Sequence, residues 1–114
     1  DYLTWHNGAY YFSDEVYAAQ MAEFETEINL AGTTCCFLIC SNEEVNKTAF
    51  ANFNIDVEQR HFITDLYTLA LCDYIIWPPS TFSFWASFYG DVPLVQLENP
   101  ATDVSLEKFI TPYL

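Results

Sequence analysis

Residues 74–77, Tyr-Ile-Ile-Trp, run directly into Pro78 and Pro79 and then into Ser80-Thr81-Phe82-Ser83. Four strand-favouring side chains make an apolar run too short for a helix and suited to a buried strand. Neither proline can donate to a ladder or follow helical residues, so the strand must stop there. Ser80 is then a good N-cap, with Thr81, Phe82 and Ser83 filling the first turn of a helix. Amide N–H groups at a helix start point outward with partial positive charge, which suits an anion such as a phosphate. An ordinary strand–helix junction carries the same signature, so this unit alone leaves both readings open.

The rest of the chain repeats the alternation of strand and helix. Residues 2–12 are aromatic and turn-rich, with Asn7-Gly8 as a turn signal, and read as a loop or short hairpin. Ser13 caps a helix with Asp14 and Glu15 in its first turn, an inward stripe of Tyr17, Met21, Phe24 and Ile28, and Glu23, Glu25 and Glu27 in solvent. Gly32 stands where a left-handed residue ends that helix. Residues 33–40 read as a strand covered on both sides. Ser41 and Glu44 form a capping box for a second helix with Val45, Phe50 and Phe53 inward. Residues 59–63 read as a short strand, Thr64 or Asp65 as the cap of a helix reaching Cys72, and Trp85 and Phe88 as core residues of the helix over 80–89. Gly90 closes that helix, residues 93–97 form a fourth strand, and Asn99-Pro100 turns the chain towards a short helix near 105–110. The fold class is therefore α/β, a single Rossmann-like domain of about four parallel strands with flanking helices. Ligands of such sheets sit beyond the carboxyl ends of the strands, where Ser41, Thr64-Asp65 and residues 80–83 would converge.

Charge narrows the partners. Sixteen acidic residues stand against Lys47, Arg60 and Lys108, a net charge of −13 in 114 residues. Three cations cannot neutralise a nucleic-acid backbone or an anionic membrane surface. No apolar run is long enough to span a bilayer, and no secretory signal is present. Cys35, Cys36 and Cys40 share one strand and Cys72 ends a helix; Cys35 and Cys36 would point to opposite faces and cannot form a compact ligand set, and free buried thiols in a reducing cytoplasm are expected over disulfides. No Asp-x-Asp pattern for a divalent metal occurs, and His6 and His61 have no sequence partner that would make either a catalytic pair, so both read as structural. A start at Asp1 without Met reads as a piece of a longer protein.

Several stretches resemble one family in order along the chain. Asp65-Leu66-Tyr67, Cys72-Asp73, the strand over 74–77 and Ser80-Thr81-Phe82-Ser83-Phe84-Trp85 are similar to the donor-binding segment of α-1,2-fucosyltransferases of glycosyltransferase family 11. Asp1-Tyr2 looks like the tail of that family's His-x-Arg-x-Gly-Asp-Tyr motif. Gly8-Ala9-Tyr10-Tyr11, Asp14-Glu15-Val16-Tyr17 and Cys40-Ser41-Asn42-Glu43-Glu44 continue the likeness. Pro78-Pro79 departs from the small or polar pair usual at that place.

The resemblance implies the C-terminal, three-layer half of a GT-B-type enzyme that binds GDP-fucose and transfers fucose, with inversion, to a galactose hydroxyl of a surface glycan. It implies no cofactor and no metal, and work in the cytoplasm or at the inner membrane face. The motif Arg and the acceptor half would lie upstream of Asp1, so these residues alone are expected to be inactive. Asp65 is either a helix cap or the reader of guanine, whose N1–H and exocyclic amine a carboxylate can accept. Ser80, Thr81 and Phe82 are either a capped helix start or a phosphate cradle with an aromatic wall, and Ser83 is a ligand contact or the capping partner. Asp1 is the one candidate for a catalytic role, orienting the motif Arg or the loop. Two other readings stay open: a non-catalytic α/β interaction module with an acidic surface, and a flavodoxin-like carrier, for which Cys40-Ser41-Asn42 offers only a weak phosphate loop.

Overall fold

The first helix, α1 (Asp14–Leu30), begins and ends where its sequence signals stand. The computed structural model describes residues 12–40, 44–57 and 62–111. Extended Ser13 accepts the Val16 amide on its Oγ at 3.4 Å, satisfying one donor that a helix start leaves unpaired. Gly32 adopts φ +89°. The Thr33 amide then donates to the Ile28 carbonyl and the Gly32 amide to Asn29, the paired bonds of a Schellman ending. Met21, Phe24 and Ile28 are buried as expected, and Gln20 is buried beside them. Glu27 departs from the expected solvated face, because its Oε1 accepts the Leu106 amide at 3.1 Å and ties α1 to the C-terminal segment.

Four short strands follow. Strand β1 (Phe37–Ile39) pairs in parallel with β2 (Ile55–Val57), Phe37 opposite Ile55. Strand β3 (Ile75–Trp77) pairs in parallel with β4 (Leu94–Gln96), Ile75 opposite Leu94. The expected single sheet of four strands is not formed: among the described residues the two pairs share no ladder. Side chains join them instead. The Phe24 ring meets Phe37 at 6.2 Å, Tyr74 at 5.3 Å and Phe109 at 5.3 Å, so one aromatic side chain of α1 touches both pairs and the chain end.

Two stretches differ from expectation. Residues 47–52 form turns rather than a second helix. The Asn46 Oδ1 accepts the Thr48 amide at 3.1 Å, while amides at 49, 50, 51 and 53 bond three residues back. A short polar side chain thus competes with the helical pattern and tightens the chain into turns. Phe50 is still buried there, at 2% exposure. The capping box falls partly on residues 41–43, outside the described ones. The strand expected over 59–63 lies instead at Ile55–Val57, where Ile and Val flank the exposed Asp56 with period two. Residues 59–61 lie outside the described ones, and Ile63 is already helical.

Helices α2 (Phe62–Ala70) and α3 (Thr81–Gly90) pack against each other and against the β3–β4 pair. Leu69, Ile75, Ala86, Val92 and Leu94 form the core on their side. Phe24, Ile28, Val95, Leu97, Val104 and Phe109 form the core on the α1 side, with Ile76 packed onto it. Successive residues of β3 and β4 therefore serve opposite layers, as strand geometry requires. A β-bridge from Ile110 to Leu94 runs along β4, the Leu94 amide donating to the Ile110 carbonyl at 2.7 Å.

Gly90 does not supply the left-handed ending of α3; Asp91 does, at φ 54° and ψ 46°. Gly90 is required for closeness: a Cβ there would overlap the Ala70 carbonyl, lying 2.6 Å from its carbon. Two outcomes test this packing by urea midpoints. Phe24→Ala should cost about 3–5 kcal/mol of stability, and Gly90→Ala about 1–3 kcal/mol through forced separation of α2 and α3. A midpoint unchanged in either variant contradicts the corresponding contact.

Candidate functional site

The double-proline turn does what its sequence suggests. Pro78 is buried, and Ser80 sits extended at φ −165° with its Oγ accepting the Ser83 amide at 3.1 Å. The Ser83 hydroxyl lies 3.1 Å from the Ser80 Oγ and donates to the Ser80 carbonyl at 3.2 Å. Ser83 is wholly buried. The two serine hydroxyls are thus turned towards each other, and Ser83 fills the capping role. The amides of Thr81 and Phe82 occupy the first helical positions, for which an α-helix has no internal acceptor. Thr81 is exposed. Phe82 is half-buried, tilted over Trp77 at 5.4 Å, with its ring packed on the Leu69–Ala86 core.

Asp65 is placed differently from its expected capping position. Helix α2 already begins at Phe62, so Thr64 and Asp65 stand inside its first turn and neither is the cap. The Thr64 carbonyl accepts the Thr68 hydroxyl at 2.7 Å. Asp65 is 8% exposed, the only charged side chain among the buried described residues. A carboxylate leaves water only at a free-energy cost that its surroundings must offset, which makes such a residue a functional candidate.

Helix packing relates Asp65 to the Ser80 turn. The last residues of α2 and α3, Ala70 and Gly90, are in contact. The helices lie side by side, so they run in the same direction. At 1.5 Å per residue, Asp65 stands about 7.5 Å back from that contact and Ser83 about 10.5 Å back. Both first turns therefore lie at one end of the helix pair, the end where β3 delivers its carboxyl terminus. Ser41, the third junction expected at this edge, lies outside the described residues, as do Asp1, His6 and His61.

Other features bear on chemistry. No group of three His, Cys, Asp or Glu side chains gathers as a metal site among the described residues. The four cysteines are free thiols. Burial, and then the Asp73 charge, push the Cys72 thiol above its ordinary pKa; burial, then Glu25 and Cys36, do the same for Cys35. Both are thereby held as neutral, weakly nucleophilic thiols at neutral pH. Cys35 and Cys36 precede β1 instead of lying in it. An open cleft of about 360 Å³ lies along β4, lined by Gln96, Glu98, Thr102, Asp103 and Lys108 with Leu94, Val95 and Ile110. It includes neither Asp65 nor the Ser80 turn. No helix of the described residues is long and apolar enough to cross a membrane.

Sequence reasoning missed the outer face of α3. Trp85 and Phe88, expected in the core, are 48% and 45% exposed. The buried face of α3 is made by Ser83, Ala86 and Ser87, small residues that let it approach its neighbours. The signal is their spacing of three and four, which the bulk of Trp85 and Phe88 masks.

No protein-family model, curated protein or solved structure matches this chain. The cap itself is testable without a ligand. Ser80→Ala should cost about 1 kcal/mol and speed hydrogen exchange of the Ser83 amide, while Ser80→Thr should retain most of both; equal losses in the two variants would show that the hydroxyl is not the cap.

Proposed function

We propose that this chain is a nucleotide-sugar-binding segment, the C-terminal part of an inverting α-1,2-fucosyltransferase-like enzyme that takes GDP-fucose as donor. The observation that supports the reading best is the placement of Asp65, the one buried carboxylate among the described residues, at the same end of the α2–α3 pair as the Ser80 turn. The ordered likeness of residues 65–85 to that family's donor segment supports it independently of the fold. The coarse architecture, parallel strands between helix layers, is compatible with half of a GT-B-type enzyme.

In this reading the diphosphate meets the amides of Thr81 and Phe82 at the positive end of α3, and the serine hydroxyls hold that turn in shape. Asp65 accepts the N1–H and amino group of guanine, which adenine cannot offer together. The chemistry asked of this half is stabilisation of the departing diphosphate, whose charge grows as the sugar bond breaks. Positioning of the galactose hydroxyl falls to an acceptor half contributed by the parent protein.

Titration of the 114-residue chain with GDP and ADP, followed by calorimetry and amide shifts, tests the donor site. GDP should bind at least tenfold more tightly than ADP, the magnitude of a charged hydrogen-bond pair. Asp65→Asn, of equal size, should erase that preference while the thermal transition persists. Equal binding of the two nucleotides, or none at millimolar concentration, overturns the proposal.

A further inference from the structure

We propose that the outer face of α2 and α3 is a docking surface for a cationic amphipathic helix of a partner protein. Ile63, Tyr67 and Leu71 recur at four-residue spacing along α2 and the turn after it, and are 47%, 59% and 87% exposed. On α3 the matching residues are Trp85, Phe88 and Tyr89. Trp85 stacks on Phe88 at 5.7 Å and lies 5.8 Å from Tyr89. Tyr67 and Tyr89 bridge the two helices at 6.4 Å. Tyr67, Trp85, Phe88 and Tyr89 are joined by ring contacts, and with Ile63 and Leu71 the six side chains expose on the order of 600 Å², at the upper end of what a lone soluble domain exposes. That area approaches the roughly 800 Å² per partner of a stable protein interface.

Charge selects the occupant. Residues 62–107 contain six acidic residues and no Lys or Arg, and the only charged residue within α2 or α3 is the buried Asp65. The face itself is therefore uncharged. Its C-terminal edge is negative twice over. The two helices end together at Ala70 and Gly90, so the negative ends of both dipoles coincide. Neither helix carries a basic residue in its last turn, and Asp73 and Asp91 follow them, both exposed. A second copy would bring the same acidic edge and its own net charge of −13. An anionic bilayer is repelled for the same reason. The surface fits a helix with an apolar stripe at spacings of three and four, flanked by Lys or Arg.

The test uses the 114-residue chain and a synthetic helix of Leu at positions i, i+3, i+4 and i+7 with Lys elsewhere. Two controls share its length: the same residues in scrambled order, and the same Leu pattern with Glu replacing Lys. The Lys-flanked helix should shift amides of α2 and α3 and bind at least tenfold more tightly than either control. Tyr67→Ser combined with Tyr89→Ser should weaken it at least tenfold. Asp73→Lys, exposed and outside the core, should weaken it several-fold and serves if the tyrosine variant unfolds. Equal binding of the scrambled peptide would reduce the effect to bulk charge and overturn the proposal. So would equal binding of the Glu peptide, or binding unaffected by the variants. Sedimentation showing a dimer of the chain that Tyr89→Ser dissolves would assign the face to a second copy and likewise overturn it.

Discussion

The fold hangs on the Phe24 ring. Its neighbours Phe37, Tyr74 and Phe109 come from the first strand pair, the approach to β3 and the C-terminal segment, which among the described residues share no continuous ladder. Strands of three residues supply few hydrogen bonds, so the relative placement of the two pairs depends on what is packed between them. Edge-on and tilted aromatic contacts are directional enough to fix that placement. The Glu27 bond to the Leu106 amide holds the C-terminal segment against the same helix, and the Ile110 bridge carries it along β4.

On the other layer, the constraint is closeness between two helices. Gly90 lies against the Ala70 carbonyl, and Ser83, Ala86 and Ser87 present little bulk to the interior. Burying the small face leaves Trp85, Phe88 and Tyr89 outside. The same packing brings the ends of α2 and α3 together at Ala70 and Gly90 and leaves the aromatic surface outside.

Local signals were legible at three helix ends. Ser13, Gly32 and Ser80 each act within a few residues, and each performs the task its position indicated. The strands at 75–77 and 94–96 were bounded by prolines or a glycine turn and fell within their expected ranges. The helix expected after Ser41 failed because Asn46 offered its backbone a competing local bond. Of the strand expected over 59–63, Phe62 and Ile63 stand instead in α2, and residues 59–61 lie outside the described ones. Asp65 was legible as a residue of interest but not as a buried one.

By itself the sequence determined the helix ends at Ser13, Gly32 and Ser80, the α/β class and the net charge of −13. Those properties depend on neighbours within one turn or on simple sums over the chain. Tertiary structure alone decided which face of α3 is inside, why residue 90 must be glycine, and that Asp65 is buried. Both faces of α3 are apolar, so composition could not choose between them; the choice was made by how near two helices can approach, a distance set by atoms far apart in the chain.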